Sequence, residues 1–175
     1  MRFPFKKLQE GQRGFSILEM MLATVILLVG LVAIAQLVPA SILLNYRNRT
    51  DSAALVFAQR ELDQFLDQPL ISTSFNDALG NTCSLGNLAS PNSVVGSPLQ
   101  SNQPLIDFSQ PTVTNYSFTF ADSTDPTGTT YDVRWAVIIT GNGSTVTSKR
   151  FILGVRQQGG NGYFLPVTLD TVVAR

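Results

Sequence analysis

The chain has 175 residues, 12 Lys+Arg against 12 Asp+Glu, and no histidine. Zero net charge excludes a global basic footprint for nucleic acid. The missing histidines exclude Ser-His-Asp triads and most zinc sites, and a single cysteine, Cys83, excludes an internal disulfide. Charged residues make up only 14% of the chain and hydrophobic ones 44%, against about 25% charged in an average soluble domain, so an apolar block is expected.

That block begins at Phe15. Between Glu19 and Arg47 there are 27 consecutive uncharged residues, 20–46, and about 20 apolar residues span a bilayer as a helix. The segment before it, residues 1–14, carries Arg2, Lys6, Lys7 and Arg13 against Glu10, a net +3. Positive flanks stay on the cytoplasmic side, so the C-terminal body is expected on the other side of the membrane. A cleavable secretory signal fits poorly. The apolar run exceeds an h-region of about 7–15 residues, and no small-residue exit follows it.

Glu19 is out of place in a plain anchor, because a carboxylate in hydrocarbon costs a few kcal/mol and normally has a partner. No Lys or Arg follows it within one helical turn. Cleavage between Gly14 and Phe15 would create an amino group on Phe15, one turn away. That group could neutralise Glu19 within one subunit or between neighbours.

The string Arg13-Gly14-Phe15-Ser16-Ile17-Leu18-Glu19 resembles the class III signal of type IV prepilins and type II secretion pseudopilins. The short basic leader, the glycine, the phenylalanine, the glutamate and the apolar run occur in that family's order. The resemblance implies that a prepilin peptidase cuts after Gly14, that Phe15 is then N-methylated, and that Glu19 forms the assembly charge pair. The run 26–33 after Glu19 looks most like the minor pilins of the V type. Beyond Leu66 no family motif is evident.

The helix is expected to continue past the membrane. Leu55, Ala58, Leu62, Phe65 and Leu66 fall on one apolar face, while Asp51, Gln59, Arg60, Glu61 and Asp63 occupy the other. Pro69 ends the pattern. A helix over 15–67 would be about 80 Å long, greasy all round in its first half and amphipathic in its second. Gly30 and Pro39 are candidate kinks. Membrane helices tolerate both residues.

Residues 68–130 are rich in Ser, Thr, Asn, Gly and Pro, with only four charges, Asp77, Asp107, Asp122 and Asp125. They are expected to form a solvated connecting region with short strands. Cys83, within it, suits either a buried free thiol or an intermolecular bridge. Three strands follow at 113–120, 131–140 and 146–155. Tyr116, Phe118 and Phe120 share a face, as do Tyr131, Val133, Trp135, Val137 and Ile139, and then Phe151, Leu153 and Val155. Gly141-Asn142-Gly143-Ser144 is a hairpin signal. The expected product is an antiparallel meander whose apolar face covers Leu55, Leu62 and Phe65, with Asp132, Arg134 and Thr140 on the opposite side. A fourth strand is expected within 163–173.

Catalytic chemistry has no carrier here. Asp122, Asp125 and Asp132 do not match a calcium-loop spacing. The glycines at 159–162 precede a strand and so do not form a phosphate loop. No catalytic residue, metal site or cofactor is expected, and neither a nucleic acid nor a small-molecule substrate.

The expectation is therefore an α+β, pilin-like fold. Residues 1–14 are the leader, 15–44 the hydrophobic transmembrane and assembly helix, 45–67 its amphipathic half, and 68–175 a periplasmic globular region. Function by resemblance is that of a minor type IV pilin, processed by prepilin peptidase and assembled with other pilin subunits into a pilus or its initiating tip complex. The alternatives are a minor pseudopilin of a type II secretion system and a membrane-anchored adhesion or binding module. Location is the inner membrane, single-pass, with the N-terminus cytoplasmic and the globular region periplasmic, before transfer to a pilus or the cell surface.

Overall fold

The computed structural model describes residues 14–101, 103–121, 128–142, 145–158 and 165–174. The leader residues before Gly14, Asp122 and Asp125, Gly143 and Ser144, and the glycines at 159–162 lie outside the described residues. Among the described residues one helix, α1 (Ile17–Leu66), precedes seven strands. They are β1 (Ser74–Asn76), β2 (Thr82–Ser84), β3 (Val94–Gly96), β4 (Ser117–Ala121), β5 (Thr130–Gly141), β6 (Val146–Gln158) and β7 (Val167–Ala174). The chain divides into two compact units, with the boundary between Asn45 and Tyr46. The architecture is α+β, with one long apolar N-terminal helix and antiparallel sheets in the C-terminal part, as expected.

In the first unit α1 is exposed residue after residue. Leu, Ile, Val, Met and Ala predominate, so the surface is apolar all round, and no described residue of the unit covers it. The helix runs on through Gly30 and Pro39.

In the second unit α1 becomes one layer of a core. Its buried positions are Thr50, Ala54, Phe57, Ala58, Glu61, Leu62 and Phe65. The stripe is centred on 54, 58, 61 and 65, spaced four, three and four, the repeat of one helix face. Two sequence expectations are corrected here. Leu55 lies off the stripe and is 39% exposed. Glu61 sits in the middle of the stripe and is fully buried, because helical phase and not residue polarity decides which side chains face the sheet.

β4, β5, β6 and β7 pair in sequence order, all antiparallel. β3 and β4 share one edge of β5 end to end: β3 pairs with 136–138 and β4 with 130–134. At the join, Ser97 N–H donates to Trp135 C=O at 2.9 Å and Trp135 N–H donates to Tyr116 C=O at 3.1 Å. Gly96 makes the junction possible. It has φ 115°, and a Cβ there would come within 2.7 Å of the Trp135 carbonyl oxygen. β4 starts later than the alternation suggests, because Val113 to Tyr116 form a turn with Asn115 at φ 63°.

The expected inward faces do face the helix. Tyr131, Val133, Trp135, Val137, Ile139, Phe151, Leu153 and Val155 form one cluster with the buried face of α1. The Trp135 indole N–H donates to Ser84 C=O at 2.8 Å, so the buried ring keeps its one polar group satisfied.

The opposite face carries Asp132 and Arg134, as the alternation suggested, but there it is not open to solvent. The chain between Leu99 and Gln110 covers it, with Ile106 and Phe108 packed on Ala136 and Ile152. Beside that patch Asp132 and Arg134 are buried. Arg134 Nε and Nη2 reach the Asp132 carboxylate at 3.0 and 2.8 Å, and Nη1 donates to Gln110 C=O at 2.6 Å. The guanidinium groups of Arg134 and Arg156 lie 5.1 and 4.7 Å from the Phe108 ring centre. Asp132 therefore serves this ion cluster.

Two more ionisable groups lie inside the second unit. Arg60 Nη2 holds Glu61 Oε1 at 3.2 Å, while Oε2 has no partner among the described residues. Burial first, and then Asp77 nearby, push the Glu61 carboxyl above its ordinary range. Lys149 is 1% exposed. Its ammonium donates to Ser72 C=O, and burial lowers its pKa to about 8.

Candidate functional site

The candidate site is the start of α1. Ser16 immediately precedes the helix, and its Oγ accepts a hydrogen bond from Glu19 N–H at 3.1 Å. Ser16 is therefore the N-cap and Glu19 the third helical residue, the Ser-x-x-Glu arrangement of a capping box. Sequence reading in terms of the membrane missed this local role, although the spacing was legible. The helix start also presents partial positive charge, which favours a carboxylate in its first turn.

Phe15 is 80% exposed, and Gly14 has open space around it, with no atom within 4 Å of where a Cβ would stand. Phe15, Glu19, Ala23 and Leu27 recur every four residues and share one side of the helix. Met20 and Thr24 flank them in a shallow apolar groove. The Thr24 hydroxyl turns back to Met20 C=O at 2.9 Å and Met21 C=O at 2.8 Å, removing its polarity from the surface. Glu19 is thus the one ionisable group on an otherwise apolar face. Chemically the arrangement offers an accessible Gly-Phe peptide bond and a carboxylate one turn further on. Gly30 and Pro39 lie farther along the same helix, away from this first turn.

Cys83, the other reactive residue singled out in the sequence, is fully buried in the second unit. Burial, with Asp77 and Glu61 nearby, pushes its thiol pKa up to about 12, the signature of an inert structural thiol. Among the described residues no group of three or more His, Cys, Asp or Glu is placed to hold a metal ion.

Residues 11–35 match the family model of the prokaryotic N-terminal methylation motif. No curated protein and no solved structure matches the chain. The matched segment contains Gly14, Phe15, Glu19 and the first part of the apolar run. This N-terminal match supports a type IV pilin-like prepilin family.

Proposed function

We propose that this protein is a minor type IV pilin of the V-like kind, a structural subunit and not an enzyme. The observation that carries the proposal is the first turn of α1. An accessible Gly14-Phe15 bond stands one turn before Glu19, the only charge on a helix face that nothing covers. Residues 1–14 are removed by prepilin peptidase, and the new amino group of Phe15 is methylated. The exposed helix of residues 15–44 holds the chain in the inner membrane until it passes into a fibre among the helices of other pilin subunits. There the Glu19 carboxylate meets the Phe15 ammonium of its own or a neighbouring chain and sets register, since an unpaired charge in a dry core is costly. Gly30 and Pro39 are the places where that helix bends or loosens. Residues 45–67 belong with 68–175 in the periplasmic globular part.

Mass spectrometry of the mature N-terminus tests the proposal. The expected chain starts at N-methyl-Phe15 and carries eight basic and eleven acidic side chains, a net −3. A protein still beginning at Met1 in cells with active prepilin peptidase overturns it. Quantitative proteomics of sheared fibres tests the minor status. The expected abundance is far below that of the main subunit.

A further inference from the structure

The end of the second unit at which the chain enters it carries charge that the fold does not use. Tyr46, Arg47, Asn48 and Arg49 are consecutive helical residues, and all four are exposed. At about 100° per residue they face four directions around the helix axis within about one turn. Arg47 lies seven residues before Ala54, in line with the buried stripe at 54, 58, 61 and 65. Thr50, the next residue on that side, is buried, so cover by the sheet ends between Thr50 and Arg47. Among the described residues neither Arg47 nor Arg49 makes an ion pair. Asp51, one turn after Arg47, leaves it unpaired. Asp63 and Asp67, exposed at the other end of this half of the helix, lie about 24 Å or more beyond Arg47.

The sheet brings a second feature to the same end. The Gln157 amide nitrogen, near the end of β6, donates to the Tyr46 hydroxyl at 3.4 Å. Val167 pairs with Val155 in the antiparallel β6–β7 ladder, so the residues before Val167 run toward the level of Gln157. Leu165, two residues before Val167, is 75% exposed there.

We propose that this end of the second unit rests on a phospholipid surface, with Arg47 and Arg49 on anionic headgroup phosphates and Tyr46 and Leu165 seated among them. The inference rests on the reading that residues 15–44 lie in the membrane. The 27 uncharged residues 20–46 end immediately before Arg47, which puts the guanidinium groups where hydrocarbon gives way to headgroups. A protein docked from one side would engage one face of the helix. Arg47 and Arg49 point to nearly opposite sides of the axis, an arrangement that suits a layer of phosphates surrounding the helix. Arginine matches phosphate with paired N–H donors, and tyrosine has the apolar body and polar tip of an interfacial residue. Asp63 and Asp67 stand well outside the reach of an anionic surface, about 8 Å at physiological salt. The contact sets the depth at which the subunit stands before it enters a fibre.

The full-length chain in vesicles of phosphatidylcholine and phosphatidylglycerol tests the placement. In a Cys83→Ser background, Leu165→Cys and Ile71→Cys each carry a fluorophore; both are exposed apolar positions of the second unit, and Ile71 follows the far end of α1. Lipids spin-labelled at the headgroup are expected to quench position 165 several-fold more than position 71. Equal quenching, or none at 165, overturns the proposal. Native mass spectrometry in detergent tests the chemistry. Phosphatidylglycerol is expected to be retained in preference to phosphatidylcholine. Retention should fall roughly tenfold in the double variant Arg47→Gln, Arg49→Gln and persist in Arg47→Lys, Arg49→Lys, since the headgroup attracts positive charge. No preference for phosphatidylglycerol, undiminished retention in the glutamine variant, or displacement by inorganic phosphate overturns the proposal. Near-UV circular dichroism of Trp135 checks that each variant is folded. The same spectra give the mass of the chain and so read cleavage after Gly14 separately, which keeps failure here distinct from failure of the pilin reading.

Discussion

Phe57 on α1 and Phe120 on β4 are stacked, their ring centres 4.1 Å apart and their planes 12° from parallel. The guanidinium of Arg60 lies 4.9 Å from the centre of the Phe57 ring. This contact fastens the amphipathic half of the helix to the sheet at the end remote from Trp135 and Phe65.

Phe57→Ala is therefore expected to destabilise the second unit by about 3–5 kcal/mol, the usual cost of removing a buried phenylalanine. Leu55→Ala is expected to cost less than about 1 kcal/mol, as surface substitutions do. Urea unfolding of the full chain in detergent, followed by the fluorescence of Trp135, checks the contrast. Equal effects would mean that the buried stripe is not centred where α1 places it.

The buried ion cluster on the other face of the sheet gives a second test. Asp132→Ala leaves the Arg134 guanidinium buried without its carboxylate, an arrangement that typically costs about 3–5 kcal/mol. Asp170→Ala breaks the half-exposed pair with Arg150 and should cost about 1 kcal/mol or less. The same unfolding assay orders the two, and a larger loss for Asp170 would reverse the burial assignment.

Glu61 and Lys149 make stability depend on pH in opposite directions. The folded-state pKa of Glu61 is raised, so its contribution is fully present below about 4.5 and is lost as pH rises through the folded value. Lys149 is lowered from 10.5 to about 8. Its contribution is present above 10.5 and is lost as pH falls through about 8. At neutral pH both groups oppose folding. Glu61→Gln is expected to remove the loss seen in the parent as pH rises from acid, and Lys149→Met to flatten the slope between about 8 and 10.5. Parent-minus-variant unfolding energies across pH 4–11 check both signs.

Cys83 should resist iodoacetamide at pH 8 in the folded chain and react fully in urea, since burial suppresses the thiolate. Mass spectrometry after alkylation reads the result directly. Rapid labelling of the folded protein would contradict its buried place in β2. Intermolecular bridging through this thiol is not expected for the same reason.

Much of the fold was legible in the sequence because two periodicities are strong. The apolar run of α1 and the alternation in β5 and β6 marked the helix and the central strands within a few residues. Glu61 was misplaced because polarity was allowed to override phase, whereas Asp132 and Arg134 lie on the expected face and only their burial was missed. A buried carboxylate is invisible to a pattern that counts apolar residues, and the cover formed by Ile106 and Phe108 arises from a loop without periodicity. The strand order at β3 depends on a long-range meeting at Gly96 that no local signal encodes. At the candidate site the membrane context drew attention to the charge of Glu19 and away from its three-residue spacing to Ser16.

That spacing gives Glu19 two separable roles, and the two can be tested apart. Glutamine also serves at the third position of a capping box, so Glu19→Gln keeps the helix start while removing the charge. Ser16→Ala does the reverse, removing the cap at a cost of about 1 kcal/mol while leaving the carboxylate. If Glu19 acts in assembly through its charge, Glu19→Gln should be inserted and cleaved after Gly14 like the parent, yet be depleted from sheared fibres. Removing a carboxylate makes membrane insertion easier, so the depletion has to arise after insertion. Ser16→Ala should be incorporated nearly as well as the parent, because in a lipid or fibre core the packed helix does not rely on one cap. Quantitative mass spectrometry of membranes and fibres from the same cells measures both steps. Normal incorporation of Glu19→Gln, with depletion of Ser16→Ala instead, would assign Glu19 to helix capping and remove the charge pair from the mechanism.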